Sequence, residues 1–363
     1  MTADYLVVGQ GIAGSVLAWS LDKLGYKVVI LDDPSLPSSS KASAGVFNPL
    51  TGKKMNRTWM SEELFPFAWN FYEDMQNVLH TNLLHFCNIY RPFRNVEEQN
   101  SYLSKTANPF TEKYVLEGAE NEKFAPFIEN PFGGLQITDA GWVDCAEMLE
   151  SIKTFFIEKN QYVIDRFDYQ KIEFQESAVS YKNIKVKKIL FCEGYEALQN
   201  PFFGWLPFNP VKGESLIALI EDYPLTEIIN QGTIIVPIDG KGKCRLGATY
   251  SWDDLDWETT AAARELLEDK ITTYLKKPFQ VIQQQAGIRP STDDRRPFVG
   301  IHPEQPQLAI FNGLGTKGVT LAPFFANELI GNMEEGKELN AEVNIERFFS
   351  LYFRSQKELI PNK

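Results

Sequence analysis

Two short apolar runs frame the start of the chain. Tyr5-Leu6-Val7-Val8 ends at Gly9, and Val28-Val29-Ile30-Leu31 ends at Asp32. Between them, Ser15 to Tyr26 repeats apolar residues at helical spacing, so the pattern predicts strand, helix, strand. A helix is expected from Glu62 to Leu79, with a stripe of Phe and Trp that reads as core. Leu84 to Phe93 reads as one strand. Asn95 with Glu98 is a capping-box pair that starts a short helix. Pro and Gly cluster between Asn108 and Gly134, which predicts irregular structure. Gly134 to Thr138 reads as a strand, and Asp144 with Glu147 caps a helix running to about Lys159. Tyr162 to Val186 alternates in short runs and predicts a meander. Lys188 to Phe191 is apolar and predicts a strand returning to the first two. Lys212 to Ile220 and Gly232 to Tyr250 alternate as strands do, with a hairpin turn at Asp239-Gly240. An amphipathic helix is expected over Thr259 to Lys277 and a strand over Gln280 to Gly287. Leu308 to Phe311 reads as a last strand, before a glycine turn that opens a helix to about Ile330.

The glycines after the first run stand as G-x-G-x-x-G, at Gly9, Gly11 and Gly14. Gly9 permits a tight turn, Gly11 lets a pyrophosphate approach the backbone, and Gly14 lets helix and strand pack closely. The helix N-terminus, with Ile12 and Ala13, offers free N–H groups to the phosphates. Asp32, eighteen residues after Gly14 and followed by Asp33, can accept hydrogen bonds from a ribose. Strand, glycines, helix, strand and acid in this order predict a dinucleotide site. Beyond a Pro/Ser-rich loop from Ser35 to Lys41, the small residues Ser43, Ala44 and Gly45 suit the approach of a flat ligand. Lys53, Lys54 and Arg57 follow. The second glycine turn, Gly313-Leu314-Gly315-Thr316-Lys317-Gly318, resembles the first in form.

Composition narrows the classes. The chain has 363 residues, 44% of them hydrophobic, enough for two domains around a large core. A net charge of −12 argues against nucleic acid or an anionic membrane as the main partner. The four cysteines are widely spaced, without a C-x-x-C, and three histidines are too few for a His-based metal site. No metal is expected. No signal peptide precedes the first strand and no apolar run is long enough to span a bilayer, so the expected location is the cytoplasm.

Four blocks resemble the superfamily of D-amino-acid oxidase, glycine oxidase and sarcosine oxidase. They are Gly9 to Gly14 with Asp32, Ser43-Ala44-Gly45-Val46, Ala286-Gly287-Ile288-Arg289-Pro290-Ser291-Thr292-Asp293 continuing to Gly300, and Gly313 to Pro323. Gly45 to Leu50 and the helix ending Phe71-Tyr72 look most like the oxidase domain of bifunctional enzymes that modify tRNA wobble uridine. The resemblance implies FAD, with a C–N bond of a small amino acid or secondary amine oxidised by hydride transfer to flavin N5. The alternative it implies is oxidation of a carboxymethylaminomethyl group on tRNA. Arg289 matches the family's carboxylate-binding arginine, and Lys317 a lysine that some sarcosine oxidases place near the same group. Gly194, Gly313, Gly315, Thr316, Lys317 and Gly318 match positions around the flavin. Arg295 and Arg296 read as surface charge. The third and fourth blocks lack a cysteine, so the expected FAD is non-covalent. Cys192-Glu193-Gly194 departs from the family's small residues before the glycine.

The expected fold is α/β: a Rossmann-like FAD-binding domain (1–84, 137–210 and 288–363) interleaved with a mostly antiparallel α+β substrate domain (85–136 and 211–287).

Overall fold

A computed structural model describes residues 1–52, 54–116 and 120–359. Lys53 and part of the stretch from Asn108 to Gly134 lie outside the described residues. Two large sheets organise the molecule. The first has six strands in the order Tyr162–Ile164, Val28–Asp32, Tyr5–Val8, Lys188–Phe191, Leu308–Asn312 and Phe298–Ile301. The first five run parallel, and the last is antiparallel to its neighbour. Alternation along each strand explains why these runs are apolar throughout. Tyr5 and Val7 face a core built with the helices Ile12–Lys23, Ser61–Leu79, Cys145–Glu158 and Gly318–Glu335. Leu6 and Val8 face a second core, built with a three-stranded meander over Ile172–Val186 and with Phe203 and Ile345.

The second sheet has eight strands: Phe279–Arg289, Val211–Ile220, Lys243–Gly247, Ile234–Pro237, Ile228–Asn230, Ile89–Pro92, Gly134–Ile137 and Val115–Leu116. All its pairs are antiparallel except Ile228–Asn230 with Ile89–Pro92. Helix Ala261–Thr272 covers one face through Leu267 and Ile271. The fold class is the expected one: a Rossmann-like sheet interleaved with a mostly antiparallel sheet.

Local expectations need adjusting in four places. Leu84 to Phe93 is two strands in different sheets: Leu84–Phe86 pairs with Gly141–Val143, and Ile89–Pro92 enters the eight-stranded sheet. Asn88 sits at the break, its amide bonded to Gln136 (3.0 Å). Tyr162–Ile164 leaves the meander for the edge of the parallel sheet, where the Tyr162 hydroxyl reaches Asp32 (3.2 Å). The amphipathic helix is shorter than expected. Thr260 caps its start by accepting from the Ala263 amide, and Tyr274 and Leu275 turn into the core beyond its end. The last glycine-opened helix is longer and stops at Glu335, before Gly336 in the left-handed region at φ +67°. The caps at Asn95 and Asp144 form as expected, each accepting from the amide three residues on.

Candidate active site

One cleft of about 1590 Å³ runs between the two sheets, and all the site residues expected from sequence line it except Gly14. At one end lies the turn after Tyr5–Val8. Gly9 has φ +92°, and a Cβ on it would stand 2.7 Å from the Cys192 carbonyl oxygen. A Cβ on Gly14 would stand 1.9 Å from the Gly9 carbonyl oxygen, so Gly14 works behind the cleft wall by letting helix meet strand. Gly11, as the first residue of the turn into the helix, has no side chain to cap it, and the Ile12 amide donates instead to the Ser40 hydroxyl (3.0 Å). Asp32 accepts from the Gln10 amide (2.9 Å) and from Tyr162, which ties the acid to the turn it serves. Asp33 is instead engaged by Ser35, whose hydroxyl (2.5 Å) and amide (3.0 Å) hold its carboxyl below the usual range.

Sequence reasoning passed over a carboxylic acid in the same wall. Glu193 accepts from Tyr169 (2.6 Å) and Asn200 (2.7 Å), and burial pushes its carboxyl up to about 7 against those two bonds. Its only sequence signal is the departure from small residues before Gly194. Gly194 itself has φ +56°, and its carbonyl accepts from Asn312 (3.0 Å).

Midway, Ser43 accepts from the Gly45 amide (3.1 Å), and Gly45 at φ +62° lies so close to Val143 that a Cβ would stand 2.0 Å from its carbonyl oxygen. Opposite this loop the turn Gly313–Gly318 opens its helix, again with no side-chain cap at Lys317. The cleft thus holds two helix N-termini without side-chain caps, each able to face negative charge. Lys317 donates to the Thr58 hydroxyl (3.3 Å). Burial, then the charges of Arg296 and Arg295, pull its ammonium down to about 8. Arg296 is not free surface charge: it pairs with Glu342 (2.8 Å), stacks on Trp59 (4.1 Å) and lines the cleft.

At the far end, two guanidinium groups stand on the face of the eight-stranded sheet. Arg289 lies over Gly213, where a Cβ would be 2.1 Å from its Nη2, and over the ring of Tyr250 (4.5 Å). Its Nη atoms are 3.4 Å from the Thr249 carbonyl oxygen, and no carboxylate among the described residues pairs with it. Arg245 donates to Ala42 O (3.1 Å), Ser215 Oγ (3.3 Å) and Gln285 Oε1 (2.7 Å). Gly213 and Ser215 are neighbouring same-face positions, about 7 Å apart along the strand. Arg245 was legible only as an alternate position in a strand, since its place depends on the register with Ile217. Among the described residues no group of three or more His, Cys, Asp or Glu could hold a metal ion, and no helix is long and apolar enough to cross a membrane.

Comparison with known proteins agrees with this geometry. Residues 4–330 match the FAD dependent oxidoreductase family. The tRNA 5-methylaminomethyl-2-thiouridine biosynthesis bifunctional protein of Hahella chejuensis is 26% identical over 369 residues, covering 92% of this chain and 57% of that protein. The chain therefore spans little more than half the length of that relative. Glycine oxidase of Bacillus subtilis is 31% identical over 137 residues, 37% of each chain. Glycine oxidase from Geobacillus kaustophilus shares the fold with a TM-score of 0.78 at 18% identity, covering 96% of this chain and 98% of that one. The donor set fits the cofactor this family uses: two helix N-termini without side-chain caps for phosphate and ring oxygens, and Asp32 beside the turn for a ribose. The chain belongs to the family of FAD-dependent oxidoreductases, and it is an enzyme whose cofactor is FAD.

Proposed function

We propose that the enzyme oxidises the C–N bond of a small amino acid or secondary amine that carries a carboxylate. The observation that supports this most is Arg289, a desolvated guanidinium without a carboxylate partner among the described residues, facing the same cleft as the nucleotide turn. A planar two-pronged donor in a dry wall suits a substrate carboxylate. Bound FAD supplies the hydride acceptor. Arg289 anchors the carboxylate and so fixes the α-carbon. Lys317, whose ammonium is already drawn toward neutrality, holds or releases a proton beside it. In this reading residues 1–84, 137–210 and 288–363 hold FAD, and 85–136 and 211–287 present the substrate. FAD is held without a covalent bond. Burial pushes the Cys145 thiol up to about 12 and raises Cys192 as well, so neither offers a thiolate to a flavin.

A second reading is favoured by the charge of the cleft away from the nucleotide turn. Its lining there includes Arg245, Arg289, Arg295, Arg296 and Lys317 beside Asp293, in a chain of net charge −12. Such a surface suits a polyanion, and it supports a carboxymethylaminomethyl group on tRNA wobble uridine as substrate. An anaerobic screen of flavin bleaching separates the two. Bleaching by sarcosine or glycine supports the first reading. Bleaching only by hypomodified tRNA supports the second, and an enzyme bleached by neither overturns both.

A further inference from the structure

The mouth of the cleft beside Arg289 carries two large rings that nothing covers. Tyr250 and Trp252 are each 58% exposed, and they are the only exposed aromatic residues among those lining the cleft. Their rings stack at 6.3 Å with an interplanar angle of 26°. Position explains the pairing. The two residues flank Ser251, so in extended backbone their side chains leave on the same side. Ser251 exchanges two backbone hydrogen bonds with Lys212 (2.9 and 3.0 Å), and the buried Lys212 ammonium pairs with Asp256 further along the loop. The loop is thus pinned on both sides of Trp252, and the rings are held out rather than allowed to fold inward. Trp257 and Tyr195, edge to face at 6.1 Å, line the same cleft. Tyr250 also stacks under the Arg289 guanidinium. The anchor for a carboxylate and an open aromatic face are therefore adjacent.

We propose that Tyr250 and Trp252 form a ring-binding subsite, and that the substrate is an amine bearing a planar ring within reach of its carboxylate. The proposal rests on the reading of Arg289 as the carboxylate anchor. Pinned, exposed aromatic surface gives sequence-tolerant stacking to any flat ring and little to a puckered one of equal size. A free aryl amino acid and a nucleobase share this chemistry.

Binding is measured by calorimetry on the FAD-loaded enzyme, with ethers that mimic the amines but cannot be oxidised: methoxyacetate, benzyloxyacetate and cyclohexylmethoxyacetate. Benzyloxyacetate is expected to bind about tenfold more tightly than either of the others, a ratio typical of one stacked ring. In Trp252→Ala that ratio should fall toward one. Equal binding of the flat and puckered ethers overturns the subsite, and so does a Trp252→Ala enzyme that keeps the ratio. Failure of all three ethers to bind counts against the carboxylate anchor itself. A last arm uses uridine bearing a carboxymethoxymethyl group on C5. Tighter binding of this nucleoside than of benzyloxyacetate assigns the ring to a nucleobase, and the reverse order assigns it to a free aryl amine.

Discussion

The two ends of the cleft are built for binding by opposite means. At the nucleotide end the work is done by backbone. Gly9 and Gly14 clear space, a helix without a side-chain cap presents amides, and the side chains present are mostly acids: Asp32, Asp33, Glu150, Asp165, Glu193 and Glu196, against Lys41, Lys153 and Arg166. At the substrate end the work is done by long cationic side chains on a sheet face floored with glycine. In the proposed reading an anion is held by dipoles at one end and by full charges at the other. Amide dipoles are rigid and tolerate no added atoms. Guanidinium groups reach, and their position is set by whatever packs beneath them. Changes at the two ends should therefore fail differently, and four substitutions test this.

The largest effect is expected at Gly14. Gly14→Val puts atoms where the Gly9 carbonyl oxygen stands, so helix and strand must separate. We expect no FAD retained after gel filtration and a stability loss of about 1–3 kcal/mol or more in urea. Retained flavin would break the claim that the nucleotide end has no slack. Next comes Arg289→Met, which removes the charge and the planar fork but keeps an unbranched stem. FAD content should stay unchanged, and kcat/KM for a carboxylated amine should fall by roughly thirtyfold or more, about 2–5 kcal/mol. A decarboxylated analogue should lose much less, and equal losses would make Arg289 structural. Gly213→Ala sharpens the same point without touching any charge. The new methyl occupies the place of the guanidinium, so the carboxylated amine should bind about tenfold more weakly, with flavin content intact. An unaffected KM would mean that the glycine floor does not set the reach of Arg289.

The smallest effect concerns pH at the nucleotide end. The Glu193 carboxyl sits at about 7 in the folded protein against an ordinary 4.5. The folded state thus holds a proton that the unfolded state gives up. Its contribution is present below about pH 4.5 and is lost as pH climbs to about 7. Urea midpoints of the apoprotein should fall over that window by the equivalent of ~1–2 kcal/mol, and Glu193→Gln should flatten the fall. An identical slope in the mutant would assign the pH dependence to other groups.

Much of the nucleotide end was legible because its physics is local. Gly9, Gly11 and Asp32 line the cleft and Gly14 stands behind it, all within one strand-turn-helix-strand unit, so spacing alone brings them together. The substrate end was legible only in part. Arg289, which lines the cleft, was singled out through resemblance, while Arg245 was passed over, because its reach into the cleft depends on pairing with Ile217 nearly thirty residues away. Tyr250 and Trp252 were equally hidden, since exposure depends on the pin between Ser251 and Lys212. Arg296 was read as surface charge because nothing local announces Trp59 or Glu342 beside it. Leu84 to Phe93 was read as one strand for a similar reason. Hydrophobic period marks a strand but not which of two sheets it joins.

The order of strands in the parallel sheet has a consequence for how the enzyme is made. Lys188–Phe191 lies between Tyr5–Val8 and Leu308–Asn312, so its second partner leaves the ribosome more than a hundred residues after it. Until then the nascent chain carries an apolar strand with an open edge, at the stage when such edges recruit the wrong neighbours. The helix that follows Leu308–Asn312 also supplies the second amide terminus of the cleft. In the proposed reading, cofactor capture then waits until that helix has been made. Expression yield should depend on flavin supply and on chaperones that shield late-closing sheets, rather than on the speed at which the residues before Lys188 are translated.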